Sequence, residues 1–153
     1  MILGLAGLFG AAFLAATLFP FNSEVLFIGL QIGDVSPVWL LIAVASVGNT
    51  LGTYVNYWVG MRLEDAGAHR WMRLSQEQFD RAHRWWERWG FWSLLLCWLP
   101  ILDLTTVIAG AMRMPLLPFT LMVGFAKTLR YVGLAAITAG VFSILGQISV
   151  LAM

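Results

Sequence analysis

Charged side chains are scarce in this chain: they make up 11% of 153 residues, against 60% hydrophobic. Too few polar groups remain to coat a water-facing surface, which excludes a soluble domain. Cysteine occurs once, at Cys97, so no intrachain disulfide can form. The two histidines, His69 and His83, stand at no spacing to Cys97 that suits a metal, and neither a structural metal nor another cofactor is expected. The absence of Gly-x-Ser-x-Gly, of a metal-ligand cluster and of an intramembrane histidine argues against an enzyme. A net charge of +1 gives no electrostatic reason to expect a nucleic-acid partner. The N-terminus lacks the basic region and cleavage site of a secretory signal, so residues 1–33 read as mature structure.

What is present is apolar sequence, broken twice in the same way. A mean hydropathy of +0.82 and this length fit one membrane domain, 1–153, of about four spanning or half-spanning elements at roughly 20 residues each. Residues 1–32 carry a single charge, inside Phe19-Pro20-Phe21-Asn22-Ser23-Glu24. Pro20 ends a first helix, and Asn22 and Ser23 are good N-caps for a second. The run 25–32 is too short to cross. Two short helices joined at depth make a re-entrant hairpin, tolerated where protein or water surrounds the turn. The alternative is a helix pair reaching the far surface, with Glu24 an ordinary first-turn acid on the helix dipole. Leu99-Pro100-Ile101-Leu102-Asp103 repeats the device within residues 91–112. Read instead as one kinked span, that segment would hold a charge near mid-membrane at a cost of at least ~2.5 kcal/mol. Two proline-interrupted segments in corresponding places point to a transporter site.

Gly33-Asp34-Val35-Ser36-Pro37 is a turn by its breakers. Residues 38–61 form a charge-free span in which Gly48, Gly52, Asn56 and Gly60 share one face. The glycines suit close helix packing, while Asn49 and Asn56 offer amides either as interhelical glue or to a substrate. Eleven of the 17 charged residues fall between Arg62 and Arg88. There Ser75-Gln76-Glu77-Gln78 has capping-box spacing, and Phe79, Ala82, Trp86 and Trp89 recur at helical intervals opposite charged positions. An amphipathic helix on the membrane is expected, within an interfacial tryptophan belt and on the cytoplasmic side by its six arginines. A last span, residues 116–140, carries Lys127 and Arg130, and residues 141–153 form a weakly patterned apolar tail.

Asn49 follows Glu24 by 25 residues, and Lys127 follows Asp103 by 24. The halves 1–61 and 91–140, separated by the polar segment 62–90, are therefore matched. If the first hairpin enters from outside and the second from inside, they form an inverted repeat. The expected fold is an all-α membrane protein: two re-entrant helical hairpins, each followed by a transmembrane helix, with an amphipathic interfacial helix between the halves. Glu24 and Asp103 would then meet at mid-depth, where burial favours the neutral acid and lets carboxyls exchange protons. Lys127 and Arg130, three apart on one helical face, can hold an anionic head group; snorkelling to an interface is their structural alternative. Three readings follow: a proton-coupled translocase of an anionic lipid, a proton-coupled antiporter of small ions or drugs, and a non-transporting membrane partner.

Thr17-Leu18-Phe19-Pro20 with Asn22-Ser23-Glu24-Val25, Gly48-Asn49-Thr50-Leu51-Gly52, Asn56-Tyr57-Trp58-Val59-Gly60-x-Arg62, Trp98-Leu99-Pro100 with Asp103, and Lys127-Thr128-Leu129-Arg130-Tyr131 together resemble the YqaA-like branch of the DedA family. These proteins are also described as SNARE-associated or VTT-domain membrane proteins. The likeness runs to about Gly140. It implies a multi-pass bacterial inner-membrane protein with two opposed re-entrant hairpins. It also implies lipid translocation, proton-coupled transport of undecaprenyl phosphate being associated with better-known members. On this resemblance Glu24, Arg62 and Asp103 are functional positions of the family, and Lys127 and Arg130 match the narrower branch. The expected partners are membrane lipids of anionic or polyprenyl-phosphate type, and protons.

Overall fold

In the computed structural model the described residues are 1–17, 23–65 and 103–151, with 84, 88–90, 92 and 94. Their secondary structure is helical, without strands, and follows the order α1 (Ile2–Ala15), α2 (Ser23–Ile32), α3 (Val38–Asp65), α4 (Leu104–Ala111) and α5 (Leu116–Leu151). The expected turn residues Pro20, Asn22 and Pro100 lie outside the described residues, as does residue 75–83 of the expected amphipathic helix.

Two of these helices are long and apolar enough to cross a bilayer, over Val38–Asp65 and Leu116–Ile144. At 1.5 Å per residue, α1, α2 and α4 reach only ~21, ~15 and ~12 Å against a hydrocarbon core of ~30 Å. Val47, Leu51, Val55 and Trp58 on α3 and Leu117, Leu121, Phe125, Leu129 and Ile137 on α5 are exposed. Apolar faces of that extent belong against lipid.

Two boundaries differ from the sequence expectation. α3 runs one turn past residue 61, because Arg62-Leu63-Glu64-Asp65 contains no breaker. Residues 141–151 are not a separate tail but the continuation of α5 beyond Gly140. A lone glycine costs a helix only about 1 kcal/mol relative to alanine, too little to stop it without a proline.

The matched halves recur in backbone geometry. α2 ends with Val35 N–H donating to the Leu30 carbonyl and Asp34 N–H to that of Gln31, each at 3.2 Å. α4 ends with Met114 N–H on the Ala109 carbonyl at 3.0 Å and Arg113 N–H on that of Gly110 at 2.9 Å. Both are Schellman closures. The left-handed position is filled by Asp34 (φ 47°) in the first and Arg113 (φ 50°) in the second, each ten residues past its acid, Glu24 or Asp103. Pro37 and Pro115 then start the long helices, where a missing N–H is harmless.

α3 packs against all four other helices, most extensively against α1 and α4. One apolar cluster joins Leu8, Ala12, Phe27, Leu41, Ala45, Tyr131 and Ala135. A second joins Tyr57, Leu94, Ala109, Phe119, Val123 and Ala126. Between them, along residues 46–56 of α3, lie the buried polar side chains Ser46, Asn49, Thr53 and Asn56. The interior is therefore two apolar cores with a polar layer in the middle.

Close approach of backbones sets the positions of the short helices. A Cβ at Gly52 would overlap the Phe13 carbonyl of α1; one at Gly60 would overlap the Val107 carbonyl of α4; one at Gly110 would overlap the Tyr57 carbonyl of α3. The last two are the same contact seen from both sides, so α3 and α4 touch backbone to backbone. Gly60→Ala and Gly110→Ala should each lower stability by about 1–3 kcal/mol, the usual cost of overpacking, and the double variant by less than the sum because the contact is shared. Gly133→Ala, where an added Cβ meets nothing within 4 Å, should be neutral or gain up to ~1 kcal/mol in helix propensity. Denaturant titration in detergent micelles distinguishes these; equal effects at Gly110 and Gly133 would rule out the contact.

Candidate functional site

α5 presents Lys127, Arg130 and Tyr131 toward the polar layer. Arg130 stands midway along the apolar stretch Leu116–Ile144, too deep to reach an interface easily. Lys127 has 0% side-chain exposure, and its Nζ donates to Asp103 Oδ1 at 2.5 Å. Aspartate is a favoured N-cap, yet Asp103 at the start of α4 makes no capping bond, and its carboxylate goes to Lys127. Arg130 pairs through Nη2 with Glu24 Oε1, in the first turn of α2. The two ion pairs lie side by side, because Lys127 and Arg130 stand three apart on one face of α5.

The pairs differ in access. Asp103 is 14% exposed opposite the enclosed Lys127, whereas Glu24 is 45% exposed opposite Arg130 at 14%. Separating two charges held out of water strands an ion, so removing one partner of the Lys127–Asp103 pair costs about 3–5 kcal/mol. The half-exposed Glu24 loses far less on leaving its partner.

Hydroxyl and amide groups tie the helices around these charges. Asn49 Nδ2 donates to Tyr131 Oη at 3.2 Å, and Tyr131 Oη shares a hydrogen bond of 3.1 Å with Ser23 Oγ. Ser23, expected as a cap, thus joins α2 to α5. Asn56 Nδ2 donates to the Ala16 carbonyl at 2.8 Å and to Thr106 Oγ1 at 3.3 Å, and Thr106 Oγ1 donates to the Asp103 carbonyl at 2.5 Å. The Ala16 carbonyl lies just beyond the end of α1, and Asn56 supplies it a donor. Of the two roles weighed for Asn49 and Asn56, the geometry displays the interhelical one for their amide nitrogens. Their Oδ1 atoms are buried without a hydrogen-bond partner among the described residues.

Glu24, Ser23, Asn49, Asp103, Lys127 and Arg130 are therefore brought together, with Asn56 at the edge through Thr106. Arg62 is not. Thirteen positions past Asn49 on a straight helix, it lies ~20 Å further along α3, exposed beside Tyr54, Val55, Trp58, Val59 and Leu63 on an open apolar groove. Thr106 and Gly110 carried no signal that single-sequence reading could use; Tyr131 stood out only as a neighbour of Arg130. Among the described residues no group of three His, Cys, Asp or Glu could hold a metal.

The family model described as VTT domain matches residues 2–140. Inner membrane protein YqaA of Escherichia coli (strain K12) is 36% identical over 137 residues, 89% of this chain and 92% of that protein. An uncharacterized protein of Haemophilus influenzae is 34% identical over 138 residues, 83% of this chain and 82% of its own length. Undecaprenyl phosphate transporter A of Staphylococcus aureus is 25% identical over 103 residues, 61% of this chain and 51% of that protein. The named relatives are an inner membrane protein and a transporter, not enzymes. No solved structure matches.

Asp103→Asn should destabilise the protein by about 3–5 kcal/mol by stranding the Lys127 ammonium, and adding Lys127→Met should recover most of that loss. Tyr131→Phe, which removes the hydroxyl shared by Ser23 and Asn49, should cost about 1–3 kcal/mol. Equilibrium unfolding in micelles reads both. An Asp103→Asn protein as stable as the parent would show that the pair is not a structural requirement.

Proposed function

The chain belongs to the VTT-domain family, the DedA proteins, and on that premise we propose that it translocates an anionic, phosphate-bearing lipid across the bacterial inner membrane. A 25%-identical relative bears the name undecaprenyl phosphate transporter A, which makes a polyprenyl phosphate the first substrate to try. The observation that carries the reading is the pair of cations Lys127 and Arg130, three apart at the middle of an apolar helix and each facing a carboxylate. Charges at that depth cost about 2.5–3.5 kcal/mol each on insertion scales, and they mark substrate or proton routes. The guanidinium fork suits a phosphate, and the acids beside it are the groups able to carry protons.

In this reading the chain is one membrane domain. The unit of short helix, Schellman turn and long helix, present as α2–α3 and again as α4–α5, supports an inverted repeat of re-entrant hairpins over 1–61 and 91–140. Opposed hairpins would give the mid-depth charges access from each side in turn. Arg62, at the end of α3, would meet the head group at the interface before it reaches Arg130. Antiport of a small cation is disfavoured by one observation: both acids of the site are already matched by a base.

Reconstituted into liposomes under a proton gradient, the protein should change the accessibility of a phosphate-bearing lipid head group. Arg130→Lys and Arg62→Lys keep charge but lose the fork, and each should weaken phosphate-lipid binding by about 1.5–3 kcal/mol, the worth of one hydrogen bond to a charged group. Vesicles that carry a monovalent cation and leave every phospholipid in place would move the assignment to antiport.

A further inference from the structure

We propose that the two ion pairs divide the work: Lys127–Asp103 is a fixed lock, and Glu24 is a built-in competitor that an incoming lipid phosphate displaces from Arg130. The inference rests on the lipid-translocase reading and deepens it, because it assigns the two acids different roles.

Accessibility separates them. Nothing reaches the Lys127 ammonium from outside, and Asp103 is 14% exposed. Opening that pair would leave a cation in a closed, water-poor space. Glu24 is 45% exposed, so its carboxylate can leave the guanidinium and find other surroundings. The backbone beside it stays put. Ser23, the preceding residue, is buried at 1% exposure and held by Tyr131, the residue after Arg130 on α5. Exchange thus needs rotation of one glutamate side chain and no undocking of α2. Carboxylate and phosphate are both oxyanions that take the same guanidinium donors, so the two compete directly for Arg130. Asn49 Oδ1, buried and without a hydrogen-bond partner among the described residues, can accept the hydroxyl proton of a monoprotonated phosphate.

Among the described residues, the hydrogen-bond partner of Glu24 is Arg130 of α5, while Asp103 and Lys127 are bound to each other. α1 brings no ionisable side chain.

The test measures binding of dioctanoyl phosphatidylglycerol to the purified protein in micelles at pH 8. This probe is a phosphodiester with one fixed negative charge. Glu24→Gln should bind it roughly tenfold more tightly than the parent, the scale of one displaced charge-assisted hydrogen bond. Asp103→Asn, which strands the enclosed Lys127 instead of freeing Arg130, should not tighten binding. Equal or weaker binding by Glu24→Gln, in a parent that binds and is weakened by Arg130→Lys, would overturn the competitor role and leave the lipid reading intact. A folded Asp103→Asn protein that binds as tightly as Glu24→Gln would overturn the lock and make Lys127 a ligand. No binding of phosphatidylglycerol or dioctanoyl phosphatidic acid by parent or Glu24→Gln would overturn the lipid reading and this inference with it.

Discussion

A cation in the middle of an apolar helix must be met by an anion, and that requirement organises this protein. Lys127 and Arg130 lie on one face of α5, and the chain answers each from a different short helix: Asp103 at the start of α4, Glu24 in the first turn of α2. The ends of both short helices are thereby drawn to one level of one long helix. Ser23, Asn49, Thr53, Asn56 and Thr106 are buried near that level, where each polar group can find a partner that an apolar core would not offer. The two apolar clusters fill the space on either side.

α3 is the surface on which this convergence is built. Its small residues let α1 and α4 approach until backbone meets backbone, at Gly52 on one side and Gly60 on the other. Between these contacts Asn49 and Asn56 reach to Tyr131 of α5, to the carbonyl of Ala16 and to Thr106 of α4. Glycine and asparagine perform different tasks here. The first brings the helices close without specifying much; the second names particular partners, since an amide has directional donors and a buried one left unpaired is costly. Repetition adds economy of design: the turn that closes α2 and admits α3 is made again, with the same hydrogen bonds, between α4 and α5.

Much of this was open to single-sequence reading. Hydropathy gave the membrane class, and the spacing of acids, breakers and cations gave the matched halves. Glu24, Asp103, Lys127 and Arg130 stood out because charge is rare in apolar sequence and therefore conspicuous. Less legible were residues whose type has many ordinary uses. Ser23 looked like a cap and is a link to Tyr131; Thr106 looked like nothing; Asn49 and Asn56 fitted two roles equally. Arg62 was grouped with the other site residues by motif, but motif carries no distance, and the rise of α3 holds it ~20 Å from the centre.

The sequence by itself determined that the chain lies in a membrane, that acids and cations recur at matched spacing in its two halves, and which family it belongs to. These are local properties: hydrophobicity, proline geometry and motif residues act on their own segments whatever the rest of the chain does. Only the tertiary structure decided which acid meets which base, that one pair is enclosed and the other half open, and that amides bridge the helices. Those contacts join residues as far apart as Glu24 and Arg130, 106 positions, and they depend on how each helix is turned about its axis. That angle is fixed by the packing of the described helices together, so no single stretch of sequence contains it.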